Sequence, residues 1–358
     1  MLEQPASDLP RALTAKLPST EALNFLWLEL TGKCNLRCLH CYADSGPERQ
    51  LHEYMTPQDW EDVLSQAASL GCRSVQFIGG EPTMYPALGR LIERARALGF
   101  ERIEVYTNGT IFKPLLTEVF LRYKVDLAFS VYAAHAQTHD LVTNQIGSFD
   151  RTFAAIQWAL ASGLSVRVGI IEMDANAGQS EHTREMLRAM EVKHIGIDRV
   201  RGVGRGAKDH SHASQFRELC GACARGRLAV TATGEIFPCV FSRFWPVGHA
   251  TQGLSTVVEG VPLRTFQHEM RARQSSPRSQ GGIAYNMDPP GPPEPPDCLP
   301  HLCNPQDPDR PCVPDELERP CAPTGTPCGP DPCPPAEGPC QPDCTPINPP
   351  NPCPPNVG

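Results

Sequence analysis

Three cysteines in the segment TGKCNLRCLHCY, namely Cys34, Cys38 and Cys41, have the type and spacing to hold a metal centre. Three thiolates on one loop can bind three irons of an iron–sulfur cube and leave the fourth iron open to a non-protein ligand. A structural zinc site instead closes its shell with four side chains. The pattern therefore favours an iron–sulfur cube, and the alternative is a zinc knuckle completed by His40 or by a remote side chain.

A second group with chemical potential is Gly79-Gly80-Glu81-Pro82, which follows a predicted strand at 74–78. Glycines let the backbone approach a ligand closely because they carry no side chain. The Glu81 carboxylate can accept a hydrogen bond from a protonated amine. A glycine pair alone is typical of turns, but one loop after the cysteines it indicates a ligand site.

Three further polar residues lie on or just after later predicted strands. Asn108 stands in TNGT, which can also be a simple Asn-Gly turn, and Ser130 lies in an apolar run, where many serines are satisfied core residues. Arg167 is a charge within the apolar run SVRVGIIE, and a buried charge is costly unless it is paired. Its partner is either a ligand carboxylate or a protein carboxylate such as Glu172.

Two loops supply less specific candidates. His135, His139 and Asp140 follow the fourth predicted strand, and each is either an acid or base for catalysis or an ordinary surface residue. The segment RVRGVGRG at 199–206 could recognise a substrate carboxylate or backbone, or could be a solvated loop.

Apolar runs alternate with amphipathic segments and predict the elements that position these residues. Strands are predicted at 24–31, 74–78, 102–106, 126–132, 165–172 and 194–200. Helices are predicted at 57–70, 86–98, 114–122, 150–162 and 180–190. This alternation implies a parallel sheet with right-handed crossovers, whose sites gather at the carboxyl ends of the strands. A curved partial barrel and a doubly wound sheet fit the pattern equally well.

A second cysteine group follows, formed by Cys220, Cys223 and Cys239. A hairpin is predicted from strands at 227–233 and 235–240. The hairpin would bring Cys223 and Cys239 together, with Cys220 near them. Such a group can hold an iron–sulfur cluster or, in a ribbon-like knuckle, zinc.

The cysteine triplet followed by an aromatic residue, the GGEP segment and the TNG segment occur in this order, and residues 24–205 resemble the radical S-adenosylmethionine (SAM) superfamily. The resemblance implies an α/β fold, a partial (β/α)6 TIM-like barrel. It implies that the triplet holds a [4Fe-4S] cluster whose open iron binds the amino and carboxylate groups of SAM. Reductive cleavage of SAM then gives a 5′-deoxyadenosyl radical that abstracts hydrogen from a substrate. The protein supplies ligation, orientation and exclusion of water.

The resemblance also implies which residues bind SAM. They are Gly79, Gly80, Glu81, Pro82, Asn108, Ser130, Arg167 and Tyr42. Glu81 would receive the SAM amino group, and Arg167 would pair with the SAM carboxylate.

The spacing Cys223-x10-Gly234-x4-Cys239 resembles the first half of the SPASM or twitch extension of these enzymes. That resemblance implies a small α+β extension with an auxiliary [4Fe-4S] cluster on Cys220, Cys223 and Cys239. The second half of the SPASM pattern, C-x2-C-x5-C-x3-C, is missing from the sequence. One auxiliary cluster is therefore expected, with its fourth ligand open.

The same resemblance favours a ribosomally synthesised precursor peptide as the substrate. The alternatives are decarboxylation or epimerisation of a small natural-product intermediate and, outside enzymes, a non-catalytic metal carrier that uses the cysteine-rich C-terminal residues. Expected partners are an electron donor such as flavodoxin or ferredoxin and a separate leader-peptide-binding protein, because the N-terminal 23 residues are too short for a leader-binding domain.

The composition divides the chain sharply. The full chain has a net charge of -8, but residues 288–358 alone carry 26 of the 38 prolines, 9 of the 16 cysteines and 11 acidic residues against two arginines. Subtracting this segment's net of -9 leaves the preceding residues at +1, so no nucleic-acid partner is expected. Neither a membrane-spanning run nor an export signal is evident. We therefore expect a cytoplasmic protein with reduced thiols.

The acidic segment lacks the large apolar residues needed for a core, so a disordered Cys/Pro-rich tail is expected. The predicted organisation is a flexible segment at 1–23, a barrel at 24–206, an auxiliary cluster domain at 207–274, and a linker and tail at 275–358.

Overall fold

The computed structural model describes residues 22–50, 54–207 and 212–274. A single sheet runs through them in the order β6-β5-β4-β3-β2-β1-β7-β8-β9. Its strands are β1 (Phe25–Glu29), β2 (Ser74–Ile78), β3 (Arg102–Thr107), β4 (Asp126–Val131), β5 (Val166–Glu172), β6 (His194–Arg199), β7 (Arg227–Val230), β8 (Glu235–Phe237) and β9 (Gly248–His249).

The helices lie between and after the strands. They are α1 (Pro57–Ser69), α2 (Leu88–Ala97), α3 (Pro114–Arg122), α4 (Ala136–Thr143), α5 (Ser148–Ala161), α6 (Ser180–Ala189), α7 (His212–Arg217), α8 (Leu254–Val258) and α9 (Val261–Gln274). The start of α1 follows from its sequence, because Thr56 and Asp59 form a capping box ahead of Pro57. No helix in the described part of the chain is long and apolar enough to cross a membrane.

Strands β1 to β6 are parallel and lie in sequence order. A doubly wound sheet reverses direction at a switch point, whereas every crossover here advances in the same direction. The successive strands therefore curl into a partial barrel. The resemblance-based prediction of the fold is confirmed, and the doubly wound alternative is wrong.

Side chains alternate between the two faces of this sheet. One face is apolar and packs with the helices in a single core, as Leu28, Phe77 and Phe129 do with Trp60 and Ile156. The other face lines the inside of the partial barrel and carries polar residues. These are Glu29, Gln76, Glu104, Tyr106, Ser130, Arg167 and Asp198.

The predicted hairpin is present, and it continues the barrel sheet. Strand β7 pairs in parallel with β1 and in antiparallel with β8. The buried side chains of Leu228 and Val230 join the same core as Leu26. The backbone of the barrel and that of the extension therefore share one hydrogen-bonded sheet.

Two features differ from the expectation. The segment after β4, predicted as a loop, forms α4, and short elements α7, α8 and β9 were not predicted. The predictions for 1–21, for 208–211 and for the acidic tail at 275–358 lie outside the described residues.

Candidate functional site at the cysteine loop

The cysteine loop, residues 31–46, leaves the carboxyl end of β1 and surrounds its sulfurs with donors. The Cys34 sulfur accepts hydrogen bonds from the Leu36 amide at 3.3 Å and from the Asn108 side chain at 3.7 Å. The Cys41 sulfur accepts one from the Ser45 amide at 3.4 Å. Such hydrogen bonds are typical of sulfurs that ligate iron–sulfur clusters.

Burial makes the thiols of Cys34 and Cys38 poor acids unless metal binds them. It raises the pKa of Cys34, aided by the nearby Glu81 carboxylate, and raises that of Cys38 to about 12. A metal ligand must be a thiolate, so assembly of a cluster on this loop would release protons that the empty loop holds.

The three sulfurs fit a cube better than a single ion. No group of three His, Cys, Asp or Glu side chains among the described residues converges to hold one metal ion. A cube does not require such convergence, because each cysteine binds a different iron. His40, the ligand considered for a zinc knuckle, packs edge-on against Tyr132, and burial lowers its pKa to about 4.

The GGEP loop after β2 lies directly on the cysteine loop. The Gly80 amide donates to the Thr31 carbonyl at 2.6 Å, and the Glu81 amide donates to the Lys33 carbonyl at 2.9 Å. A side chain at Gly80 would place its Cβ 2.1 Å from the Lys33 carbonyl oxygen. Glycine is therefore required here to let the two loops meet.

The Glu81 carboxylate is completely buried and held by protein donors. It accepts hydrogen bonds from the Thr83 amide at 3.0 Å, the Thr83 hydroxyl at 2.7 Å, the Thr107 hydroxyl at 2.6 Å and the Asn108 amide at 2.8 Å. Three of these bonds fall on Oε1, and Oε2 accepts only the bond from the Asn108 amide. Burial raises its pKa, since charge is disfavoured there. The side chain ties the loops after β2 and β3 together, and Oε2 keeps a lone pair for a further donor.

Asn108 links the loop after β3 to the cysteine loop. Its side-chain nitrogen donates to the side-chain oxygen of Asn35 at 3.0 Å, and its side-chain oxygen accepts from the Thr110 amide at 2.8 Å. The Asn35 side chain in turn donates to the Thr110 hydroxyl at 2.7 Å. Asn35 was not predicted as part of the site, although its position beside Cys34 was a signal.

Arg167 lies inside the partial barrel and pairs with Glu104 on β3. Its guanidinium donates to the two carboxylate oxygens at 2.6 and 3.2 Å, and Gln76 donates to the same carboxylate. The guanidinium also lies 5.2 Å from the centre of the Tyr106 ring. The buried charge thus has a protein counter-ion, which is Glu104 and not Glu172, so it does not need a SAM carboxylate.

Ser130 and Tyr42 occupy two other parts of the barrel mouth. Ser130 is a hydrogen-bond partner of the Tyr106 and Tyr132 hydroxyls. The Tyr42 ring lies 5.4 Å from the guanidinium of Arg243, which reaches it from the segment after β8. Burial raises the pKa of Tyr42 well above its usual range, so its hydroxyl stays neutral.

The loop after β6 closes on the cysteine loop, which the sequence did not predict. The Arg205 amide donates to the Cys41 carbonyl at 3.0 Å, and its guanidinium donates to the Cys38 carbonyl at 2.9 Å. Gly204 has a φ of +58°, and a Cβ there would lie 2.4 Å from the Cys41 carbonyl oxygen. The glycine-rich sequence of this loop was the available signal.

Of the three acid–base candidates after β4, two are held by neighbouring protein groups and one is exposed. His139 is buried among aromatic rings, and burial lowers its pKa to about 4. Asp140 accepts hydrogen bonds from the Gly147 and Phe149 amides. Burial raises its pKa, but these bonds and one from Ser148 outweigh that effect and lower it. His135 is exposed.

The second cysteine group comes together at the hairpin. The sulfurs of Cys223 and Cys239 lie 3.1 Å apart and are both buried, and Cys220 is exposed. Cys220 is also a hydrogen-bond partner of Cys223. All three are free thiols, so they are available as ligands.

Comparison with known proteins identifies a domain within the chain. The model of the radical SAM superfamily matches residues 28–190, the part that carries both the cysteine loop and the GGEP loop. Residues 28–190 therefore match a radical SAM domain. Members of this family use SAM and a [4Fe-4S] cluster, and the donor set at Cys34, Cys38 and Cys41 fits that cluster.

Curated relatives match part of the chain. The subtilosin biosynthesis protein AlbA of Bacillus subtilis is 26% identical over 192 residues, which are 53% of this chain and 42% of AlbA. A probable GTP 3′,8-cyclase of Methanothermobacter marburgensis is 29% identical over 150 residues, 41% of this chain and 47% of the cyclase. The chain thus spans about half the length of these relatives.

Solved structures share the fold. Streptococcus suis SuiB, known with SAM and with the precursor peptide SuiA, is 18% identical and has a TM-score of 0.57. The alignment with the SAM-bound structure covers 72% of this chain and 70% of SuiB.

Proposed function

We propose that this protein is a radical SAM enzyme whose cysteine loop, through Cys34, Cys38 and Cys41, holds the SAM-binding [4Fe-4S] cluster. When bound, the cluster and SAM supply a 5′-deoxyadenosyl radical that abstracts hydrogen from a substrate. The observation that carries this proposal is the contact of the cysteine loop with the loops after β2, β3 and β6. These contacts preorganise the ligands before the cofactors bind.

The chain's own residues divide between holding loops and contacting SAM. Gly79, Gly80 and Pro82 bring backbone beside the cysteine loop, Asn108 borders the Cys34 sulfur, and Ser130 and Tyr42 border the barrel mouth. We assign the SAM contacts to this set. Arg167 is assigned to positioning, because Glu104 already pairs with its charge. Glu81 ties two loops together and stays assigned to the SAM amino group through Oε2, which accepts only the Asn108 amide.

We further propose that Cys220, Cys223 and Cys239 hold one auxiliary [4Fe-4S] cluster within an extension at 207–274. The meeting of two buried sulfurs with a third, exposed cysteine nearby supports this assignment. An exposed ligand would place the cluster at the protein surface, where an electron donor such as flavodoxin or ferredoxin can reach it.

For the substrate, we propose a ribosomally synthesised precursor peptide. The support is the shared fold with SuiB, which has been solved with its precursor peptide, and the sequence similarity to a bacteriocin biosynthesis protein. Similarity to GTP 3′,8-cyclases supports a second candidate, a small-molecule substrate. A peptide route would also involve a leader-peptide-binding partner and a cytoplasmic location.

The test is SAM cleavage by anaerobically reconstituted protein with dithionite, measured as 5′-deoxyadenosine. Wild type and Cys72→Ala should form it, since Cys72 is a buried thiol that hydrogen-bonds only to the Ser74 carbonyl among the described contacts. Cys34→Ala should form none. Equal product from Cys34→Ala and Cys72→Ala would refute the assignment of the cysteine loop.

A further inference from the structure

A cavity of about 270 Å³ lies beside the cysteine loop. It is partly open and is lined by residues 42–44, by the loop after β6, by Gln215 of α7 and by the segment after β8. Of the residues assigned to SAM, only Tyr42 lines it, and its ring meets Phe241 edge-on at 5.5 Å. The cavity therefore lies between the cysteine loop and the extension, away from the GGEP and Asn108 loops.

Aromatic side chains supply much of the cavity wall. Tyr42, Phe241 and Phe244 all line it, together with the buried Val203. Phe244 is held from behind by Phe216, with ring centres 5.0 Å apart. Aromatic walls favour an aromatic ligand, because rings gain from edge-to-face and offset contacts in addition to buried area.

The charges at the wall are already neutralised. Arg243 donates to both oxygens of Glu29 at 2.5 and 2.6 Å, and Asp44 pairs with Arg49 and Arg205. A charged ligand would lose hydration without gaining a free counter-ion, so the wall favours a neutral one.

The volume of the cavity indicates whether it takes a single side chain or a larger ligand. Sites for drug-sized molecules have volumes of roughly 300–1,000 Å³, and this cavity is smaller. We propose that it binds one neutral aromatic side chain of the substrate. This inference rests on the proposed peptide substrate and narrows it to a peptide with an aromatic residue near the reacting position.

The test measures binding of N-acetyl-L-phenylalanine amide and N-acetyl-L-alanine amide to the full-length reconstituted protein by calorimetry. The aromatic amide should bind at least about tenfold more tightly. Ala207→Trp, which fills the cavity, and Phe244→Ala, which removes a wall, should each abolish that preference. Leu141→Ala, an exposed residue of α4 outside the cavity, should keep it.

Equal affinity for the two amides, or an unchanged preference in Ala207→Trp with full iron content, would overturn the inference. Failure of this inference and failure of the proposed function give different results. Formation of 5′-deoxyadenosine without aromatic selectivity rejects the cavity assignment alone. Aromatic selectivity without modification of any peptide rejects the peptide function and leaves the cavity as an aromatic site.

Discussion

Buried carboxylates and guanidinium groups position the residues around the barrel mouth. Glu81 joins two loops, Glu104 pairs with Arg167 inside the barrel, and Glu29 pairs with Arg243 across to the extension. In the two ion pairs, the carboxylate is buried and depends on its arginine partner. The removal of one member therefore leaves a buried charge unpaired, which costs more than the removal of both.

The Glu104–Arg167 pair gives a direct prediction at this scale. Glu104→Leu should lower the free energy of unfolding by about 3–5 kcal/mol, because Arg167 is left without a counter-ion. The double variant Glu104→Leu/Arg167→Met should recover much of that loss in urea unfolding. If Arg167 instead pairs with the SAM carboxylate, Arg167→Met would weaken SAM binding and leave unfolding almost unchanged.

His139 predicts a pH effect on stability. Burial holds its folded pKa at about 4, below the usual value of about 6.5, so protonation favours the unfolded chain. Its contribution to stability is complete above pH ~6.5 and is lost as pH falls towards 4, by about 1.4 kcal/mol per pH unit. His139→Gln should reduce that slope in urea unfolding, and the exposed control His135→Gln should not. Equal slopes in both variants would contradict the assignment.

Among the elements, the loop after β6 contacts the cysteine loop directly and holds its backbone. Gly204 and Gly178 both have positive φ values, +58° and +74°, but only Gly204 has backbone within contact distance of its missing side chain. Gly204→Ala should therefore lower iron retention and broaden the cluster absorption, whereas Gly178→Ala should cost only backbone strain. Equal iron content in the two variants would show that contact with the Cys41 carbonyl is not required.

The sequence could predict elements whose pattern is local. The strands of the barrel were recognisable because their core-facing positions are apolar, and the boundaries of β2 and α3 match the prediction. Helix α4 was missed because AQTHDLVT mixes polar and apolar residues and buries only His139, Val142 and Thr143.

Contacts between distant segments could not be predicted in the same way. Arg167 is 63 residues from Glu104, and Arg205 is 167 residues from Cys38. No periodicity in the sequence predicts which carboxylate or carbonyl such a side chain contacts in the fold. Glu81 was recognised as a site residue from its motif, but its partners depend on the folded positions of Thr83, Thr107 and Asn108.

At the scale of the molecule, the sheet joins the cysteine loop to the hairpin. Strand β1 carries the cysteine loop at its carboxyl end and pairs with β7, which leads into the hairpin that ends at Cys239. All six cysteines proposed as ligands belong to the described part of the chain. The two proposed clusters are thus anchored to neighbouring strands of one sheet.

This arrangement predicts the iron content. The chain shortened by deletion of 288–358 should hold about eight irons, as two [4Fe-4S] clusters require. Replacement of Cys220, Cys223 and Cys239 by alanine should lower the content to about four, and Cys72→Ala should leave it unchanged. If deletion of 288–358 removed a cluster, the deleted residues would have to supply one of its ligands.

The most direct test of the central claim is the electron paramagnetic resonance spectrum of the reduced protein before and after addition of SAM. The variant with alanine at Cys220, Cys223 and Cys239 is used, so that only the cysteine loop can hold a cluster. SAM should change the [4Fe-4S] signal, because it binds the iron that the three cysteines leave open. A [4Fe-4S] signal that saturating SAM leaves unchanged would contradict the claim.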